Sequence, residues 1–325
     1  MTLEPAFSQR ATAVMTALHG LVQAPDAAAV LAEIARHAPN PGAALARRLR
    51  LPGASGVSAD LPAPLDVLEG FAAAEAMRAG LPRTGCEHLV LALVRIAADA
   101  SADTAALPSA RAELQGLIGE VAGAAYERLP RPDRDGAEVP CAVVLCGLPG
   151  TGKSTLAELA GARLGLPVFS FDWFLGALTP FGVVRPDNAG PVGNQLMSAV
   201  LAGQLRTGHG AVLDPGGFRQ AERTRWRAIC ESLGARFVGV ECVCPDETVH
   251  RRRVEARSRA IPGWAATVTW EHVGRMRALW EPWDEPHLVL NTLQPPPASV
   301  DLIVSAVEAA TTASRALPHL VTSSA

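Results

Sequence analysis

Through the first 126 residues, apolar positions recur at three- and four-residue intervals in segments rich in Ala and Leu, with no convincing strand pattern. That spacing predicts an all-helical region over 1–126. From residue 141 the pattern changes. Short apolar runs at 141–146 (CAVVLC), 167–171 (PVFSF), 211–214 (AVLD), 236–243 (RFVGVECV) and 287–291 (HLVLN) are separated by helix-spaced segments. Alternation of this kind predicts an α/β domain, a parallel five-stranded sheet covered by helices on both faces. An amphipathic stretch at 298–315 is expected to pack on the sheet, with a frayed tail beyond it. Between the two regions, ERLPRPDRDGAEVP (127–140) is polar, carries three prolines and reads as a linker. The expected organisation is a helical module at 1–126, a linker at 127–140 and an α/β domain at 141–325.

Length and charge narrow the choices. At 325 residues the chain is long enough for two domains with separate cores. A formal net charge of −3 argues against a broad nucleic-acid or membrane-surface footprint. No apolar run approaches the roughly 20 residues needed to span a bilayer, and MTLEPAFSQR lacks the basic start and apolar stretch of a signal peptide. The expected location is cytoplasmic. Cys86, Cys141, Cys146, Cys230, Cys242 and Cys244 fall mostly in apolar, strand-like segments rather than at zinc-ligand spacing, so buried thiols are expected.

One residue stands apart from the composition. The chain has twenty-eight arginines and a single lysine, Lys153, inside GLPGTGKST (147–155). Gly147, Gly150, Gly152, Lys153 and Ser154 fit G-x-x-x-x-G-K-[ST], the phosphate loop, whose successive backbone N–H groups curl around phosphate oxygens. Leu148, Pro149, Thr151 and Thr155 complete the nucleotide-binding set. The compact ammonium slips beside the β- and γ-phosphates where a planar guanidinium does not fit. The strand-like run before the loop and the helical spacing after it place the loop at a helix N-terminus, where the dipole favours anions.

Other strand ends supply chemistry. Asp172 follows the second strand, and in an open parallel sheet the carboxyl ends of strands face the ligand crevice. Asp214 ends the third strand and is suited to hold Mg²⁺, directly or through water, beside Ser154. For both aspartates, capping of a helix or turn is the alternative. HRRRVEARSR (250–259) places five arginines in ten residues. Arg253 and Arg257 share a helical face suited to neutralising transition-state charge, with Arg252 next to them; a solvated basic face is the alternative. The stretch 179–195, rich in Gly and Pro, is the expected acceptor-binding loop.

Carried by GLPGTGKST, FSFD, AVLDPGGFRQAERTRW, RRRVEARSR and WEPWDEPHLVLNT, residues 141–292 resemble the P-loop kinases that include polynucleotide kinases, chloramphenicol phosphotransferase, zeta toxins and gluconate kinases. The resemblance implies ATP and Mg²⁺ as cofactors and an arginine-bearing lid after strand four. It also implies Asp172 as the base for the acceptor hydroxyl and Arg223 in contact with acceptor or phosphate. Pro215, Gly216 and Gly217 stand where polynucleotide-kinase-like members carry polar residues, which counts against a nucleic-acid acceptor. In the helical half, FSQRATAVMTALHG and VLAEIARH recur about 59 residues later as DVLEGFAAAEAMRAG and LVLALVRI. AEAMRAGLPRTGCEHLVLALVR (74–95), through Glu87, His88 and Leu89, resembles the N-terminal domain of Clp-type ATPases, which implies docking of a protein partner. His88 itself reads as a helix-capping histidine.

The leading expectation is an ATP- and Mg²⁺-dependent phosphotransferase acting on a hydroxyl of a small metabolite or antibiotic. The alternatives are a polynucleotide or nucleotide-sugar kinase, and a nucleotide-gated adaptor in which the helical module binds a protein and no phosphate is transferred.

Overall fold

The structure is a computed structural model that describes residues 6–53, 56–79, 81, 83–133, 138–185, 188–256, 261–263 and 268–315. The chain divides into two compact units, Met1–Glu120 with Pro186–Pro191, and Val121–Arg185 with Val192–Ala325.

In the first unit a two-residue strand β1 (Ala6–Phe7) precedes α1 (Gln9–His19), α2 (Ala27–Arg36), α3 (Pro41–Arg48) and α4 (Leu65–Arg78). After β2 (Arg83–Thr84) come α5 (Cys86–Ser101) and α6 (Ala106–Gly123). The helix starts are chemically marked: Ser8, Asp26 and Asn40 each accept a backbone N–H three residues on. The 59-residue recurrence aligns α1 with α4 and α2 with α5 in sequence, and within each repeat the two helices pack together, α1 on α2 and α4 on α5. α5 carries buried residues all round, including Leu89, Val90, Leu91, Leu93 and Val94, because α1, α2, α3 and α4 all pack against it. The region is helical as expected, except that β1 and β2 pair in parallel over Ala6↔Arg83 and Phe7↔Thr84. Strands of two residues are too short to leave a period in the sequence.

In the second unit, β3 (Cys141–Cys146) leads into α7 (Lys153–Leu164). Then follow β4 (Val168–Ser170), α8 (Phe171–Leu178), α9 (Ala189–Arg206), β5 (Ala211–Asp214), α10 (Gln220–Ser232), β6 (Arg236–Val243), α11 (Glu247–Glu255), α12 (Trp270–Ala278), β7 (Leu288–Asn291) and α13 (Pro296–Arg315). The sheet order is β4-β5-β3-β6-β7, and every pairing is parallel. This is the α/β arrangement with a parallel five-stranded sheet that the strand pattern predicts. CAVVLC is continuously apolar because β3 is central and buried on both faces. Ala142, Val144 and Cys146 join the core beneath α9 and α10, while Cys141, Val143 and Leu145 join the core beneath α7 and α13. Tyr126 and Leu129 pack onto the first of these cores.

The stretch 179–195 is less open than its composition suggests. Its first residues make a 3₁₀ turn, and from Ala189 onward it is the start of α9. Gly193 is buried, and a Cβ there would strike the Phe171 ring, so the position needs glycine. Residues 186 and 187 lie outside the described residues.

Candidate functional site

The phosphate loop leaves the carboxyl end of β3 and closes at the N-terminus of α7. Gly150 and Gly152 have φ of +84° and +91°, the left-handed region that glycine enters without strain. Thr151 donates through Oγ1 to the Leu148 carbonyl at 2.8 Å, and Lys153 Nζ donates to the same oxygen at 3.0 Å. The turn is thus tied across its own mouth. Gly147 begins it with a bond from its N–H to the Gly216 carbonyl.

A cavity of about 460 Å³ opens here, lined by Gly150, Gly152, Lys153, Ser154, Thr155, Arg253, Thr292 and Gln294 among others. The loop, the lysine and Arg253 therefore meet in one space. Arg253 reaches it from α11, donating to the Thr292 carbonyl at 2.8 Å and to Thr292 Oγ1 at 3.1 Å. Arg252 is exposed and absent from the cavity lining, and Arg257 lies outside the described residues.

Both candidate carboxylates sit at carboxyl ends of strands. Asp214 ends β5, is 5% exposed, and accepts from Ser170 Oγ at 3.3 Å across the register pair Ser170↔Asp214. Asp172 lies in the first turn of α8, directly after β4, and is half-buried. His272 of α12 is close enough to feel its charge. Burial lowers the His272 pKa first and Arg275 lowers it further, while Asp172 opposes them. Ser154 and Asp214 supply a hydroxyl and a carboxylate, the hard oxygen donors a Mg²⁺ ion accepts when phosphates complete its shell. Among the described residues there is no cluster of three or more His, Cys, Asp or Glu suited to hold a metal on their own.

Arg223 has a different task from the one its resemblance implies. It is fully buried in α10, where its guanidinium donates to the carbonyls of Gly217, Glu281 and Pro282 at 2.6, 2.7 and 2.8 Å. It also bonds Gln220 and lies over the rings of Trp280 and Trp283. With its donors spent on backbone, it clasps the Trp280–Trp283 segment to the loop after β5. Gly217 in that loop has φ +61°, and a Cβ on it would strike the Cys146 sulfur, so glycine stands there for closeness to β3. Five of the six thiols are buried. Burial pushes Cys141 and Cys242 up to about 12 and Cys86 up to about 11, which leaves these thiols unreactive.

Several residues at the site are given no role by the sequence motifs, although His250 and Thr292 lie within quoted segments. Thr292 and Gln294 join the cavity only because β7 ends beside the loop, and His250 touches the loop from α11. Glu222 accepts from Asn194 Nδ2 at 2.7 Å, and burial raises its pKa.

With loop, strand ends and sheet order in place, the family comparison falls on the same region. Residues 143–283 match the AAA domain family. Over 69 residues, 21% of its length, the chain is 39% identical to the ATP-dependent zinc metalloprotease FtsH of Burkholderia pseudomallei (strain 1710b). It spans 10% of that relative's length. Among solved structures, a gluconokinase from Sinorhizobium meliloti 1021 is similar at 17% identity and a TM-score of 0.42, over 55% of this chain and 97% of that one. APE1195 is similar at 23% identity and a TM-score of 0.43, over 54% and 98%. The Mycobacterium tuberculosis APS kinase CysC, in complex with AMPPNP and APS, is similar at 20% identity and a TM-score of 0.39, over 53% and 99%. No described helix is long and apolar enough to cross a membrane.

Proposed function

We propose that this chain is an ATP-dependent phosphotransferase that moves the γ-phosphate to a hydroxyl of a small molecule, such as a metabolite or an antibiotic. The observation that carries this reading is the convergence of Lys153, Arg253 and the phosphate loop on one cavity, with Asp172 and Asp214 at the carboxyl ends of neighbouring strands of the same sheet. In this reading the loop N–H groups and Lys153 hold the β- and γ-phosphates, and Arg253 neutralises charge as the phosphoryl group moves. Arg257 is proposed for the same task and Arg252 for nucleotide contact. Ser154 and Asp214 would hold Mg²⁺, which, when bound, screens the phosphate oxygens. Asp172 takes the proton from the acceptor hydroxyl as its oxygen attacks the γ-phosphorus, while the bond from that phosphorus to the β–γ bridging oxygen breaks and ADP leaves.

Residues 141–325 are proposed as the catalytic domain, joined through 127–140 to a module at 1–126 that recognises a protein partner. A cytoplasmic location fits this chemistry, since ATP is the donor. The modest net charge favours a small-molecule acceptor over nucleic acid.

The test is a phosphotransfer screen of the purified chain with ATP and Mg²⁺ over nucleosides, sugars, aminocyclitols, hydroxylated antibiotics and 5′-hydroxyl oligonucleotides, read by mass. Asp172→Asn is expected to lower single-turnover transfer by about 10²- to 10⁴-fold with ATP affinity unchanged. Full transfer by Asp172→Asn removes it as the base. ATP binding with no acceptor found, together with a bound protein partner, favours the adaptor instead.

A further inference from the structure

The chemistry above leaves His250 unused, although it is one of the most buried polar residues in the unit, at 2% exposure. Its Nε2 stands 2.8 Å from the carbonyl oxygen of Pro149. A carbonyl can only accept, so Nε2 carries the proton and donates. The partner lies 101 residues away in sequence, inside the phosphate loop.

The next residue shows how tightly the two elements meet. A Cβ on Gly150 would strike Val254 and come within 3.3 Å of the His250 ring, so only glycine lets α11 approach this closely. Trp270, the first residue of α12, packs edge-on against the imidazole with ring centroids 5.2 Å apart. Arg277 lies over the Trp270 ring at 5.6 Å. The imidazole is held between the phosphate loop and α12.

Peptide geometry turns that bond into a consequence for ligand binding. In a trans peptide the C=O of one residue and the N–H of the next point in opposite directions. Fixing the Pro149 carbonyl toward α11 therefore aims the Gly150 N–H away from α11, and Gly150 lines the cavity. We propose that His250 is a positioning residue for the nucleotide: by donating from Nε2 to the Pro149 carbonyl, it sets the Pro149–Gly150 peptide so that the Gly150 N–H serves as a phosphate donor. This inference rests on the nucleotide-binding part of the reading above, since it assumes that the loop binds nucleotide phosphates. Burial holds the His250 pKa below that of an ordinary imidazole; nearby Arg277, Lys153 and Arg253 act the same way, against the opposing pull of the Pro149 bond. The neutral Nε2–H form thus persists at neutral pH.

The test needs no acceptor. ATP and ADP affinities of the full chain are measured by calorimetry for the wild type, His250→Phe and His250→Gln. Phe fills the site without a donor and is expected to weaken both nucleotides about tenfold, the size of one lost hydrogen bond. Gln restores an N–H donor and is expected to return affinity to within about threefold of the wild type. Nitrogen-15 histidine NMR of the wild-type chain is expected to show the Nε2–H tautomer, a readout that stands even if the Phe variant does not fold. An Nδ1–H tautomer, wild-type affinity in His250→Phe, or equal loss in the Gln and Phe variants each overturns the proposal. A wild-type chain that binds no nucleotide overturns the parent reading and this one together, whereas a failed acceptor screen with ATP binding intact leaves only this one standing.

Discussion

His88 in the helical unit and His250 in the sheet unit are alike in isolation, each 2% exposed, each with a pKa lowered first by burial. They differ in the distance over which they act. His88 accepts the Gly85 N–H through Nδ1 at 2.9 Å, closing the start of its own helix three residues back. His250 donates to a carbonyl on another element, 101 residues away in sequence. One finishes a helix and the other shapes a loop. The helical unit spends its buried polar groups on holding itself together, with Glu75 joined to Arg78 and Arg111 in the same manner. The sheet unit spends several of its own at the carboxyl edge, where a ligand would sit.

That contrast breaks most readily at Lys153. If the sheet unit holds the chemistry, Lys153→Ala abolishes transfer, and Lys153→Arg lowers it by about 10²-fold or more, because charge alone does not reproduce the compact ammonium. Near-wild-type turnover in the Arg variant, in a coupled ADP-release assay, would overturn the steric account of the lone lysine.

Arg223 tests the opposite point, that not every arginine at the site is chemical. Arg223→Met leaves three carbonyls without their donor and is expected to cost about 3 kcal/mol in urea unfolding. The KM for ATP of the folded fraction should stay near wild type. Unchanged stability with lost turnover would return Arg223 to the acceptor or phosphate.

A smaller effect sharpens the helical side. His88→Ala removes the bond to Gly85 and is expected to lower stability by about 1 kcal/mol, the worth of a helix cap, with nucleotide affinity untouched. A change in ATP affinity would show that the histidine does more than cap.

The smallest effect is in pH. His88 is faced by Glu87 and Glu75, which favour its protonated form, and by Arg78, which disfavours it, while burial outweighs them and lowers its pKa from 6.5. In the unfolded chain the same imidazole binds a proton near its ordinary value, so acid favours unfolding. The contribution of His88 to stability is full above about pH 6.5 and declines as pH falls below it. Urea midpoints at pH 7.5 and 5.5 should therefore drop on acidification, and His88→Gln should flatten the drop. A slope unchanged in that variant would assign the acid sensitivity to other groups.

What can be read without coordinates is what local sequence encodes. GLPGTGKST names the phosphate loop because its spacing is its function, and the apolar runs at 141–146, 211–214 and 236–243 match strands β3, β5 and β6. Helix starts with Ser8, Asp26 and Asn40 are equally local.

Tertiary structure alone decided which residues surround the loop. Thr292, Gln294 and Arg253 meet the loop because β7 and β6 lie side by side in a parallel sheet, so that the segments following them emerge at the same edge as the loop after β3. The same reason separates the arginines. Arg223 and Arg253 are indistinguishable as charges in a sequence, yet one faces buried carbonyls and the other a cavity, since helix phase and the neighbouring backbone set the partner of each guanidinium. A single chain determines spacing and period on its own; the closing of a 101-residue gap between His250 and Pro149 depends on β3 and β6 pairing side by side in parallel, so that the segments after them meet at one edge.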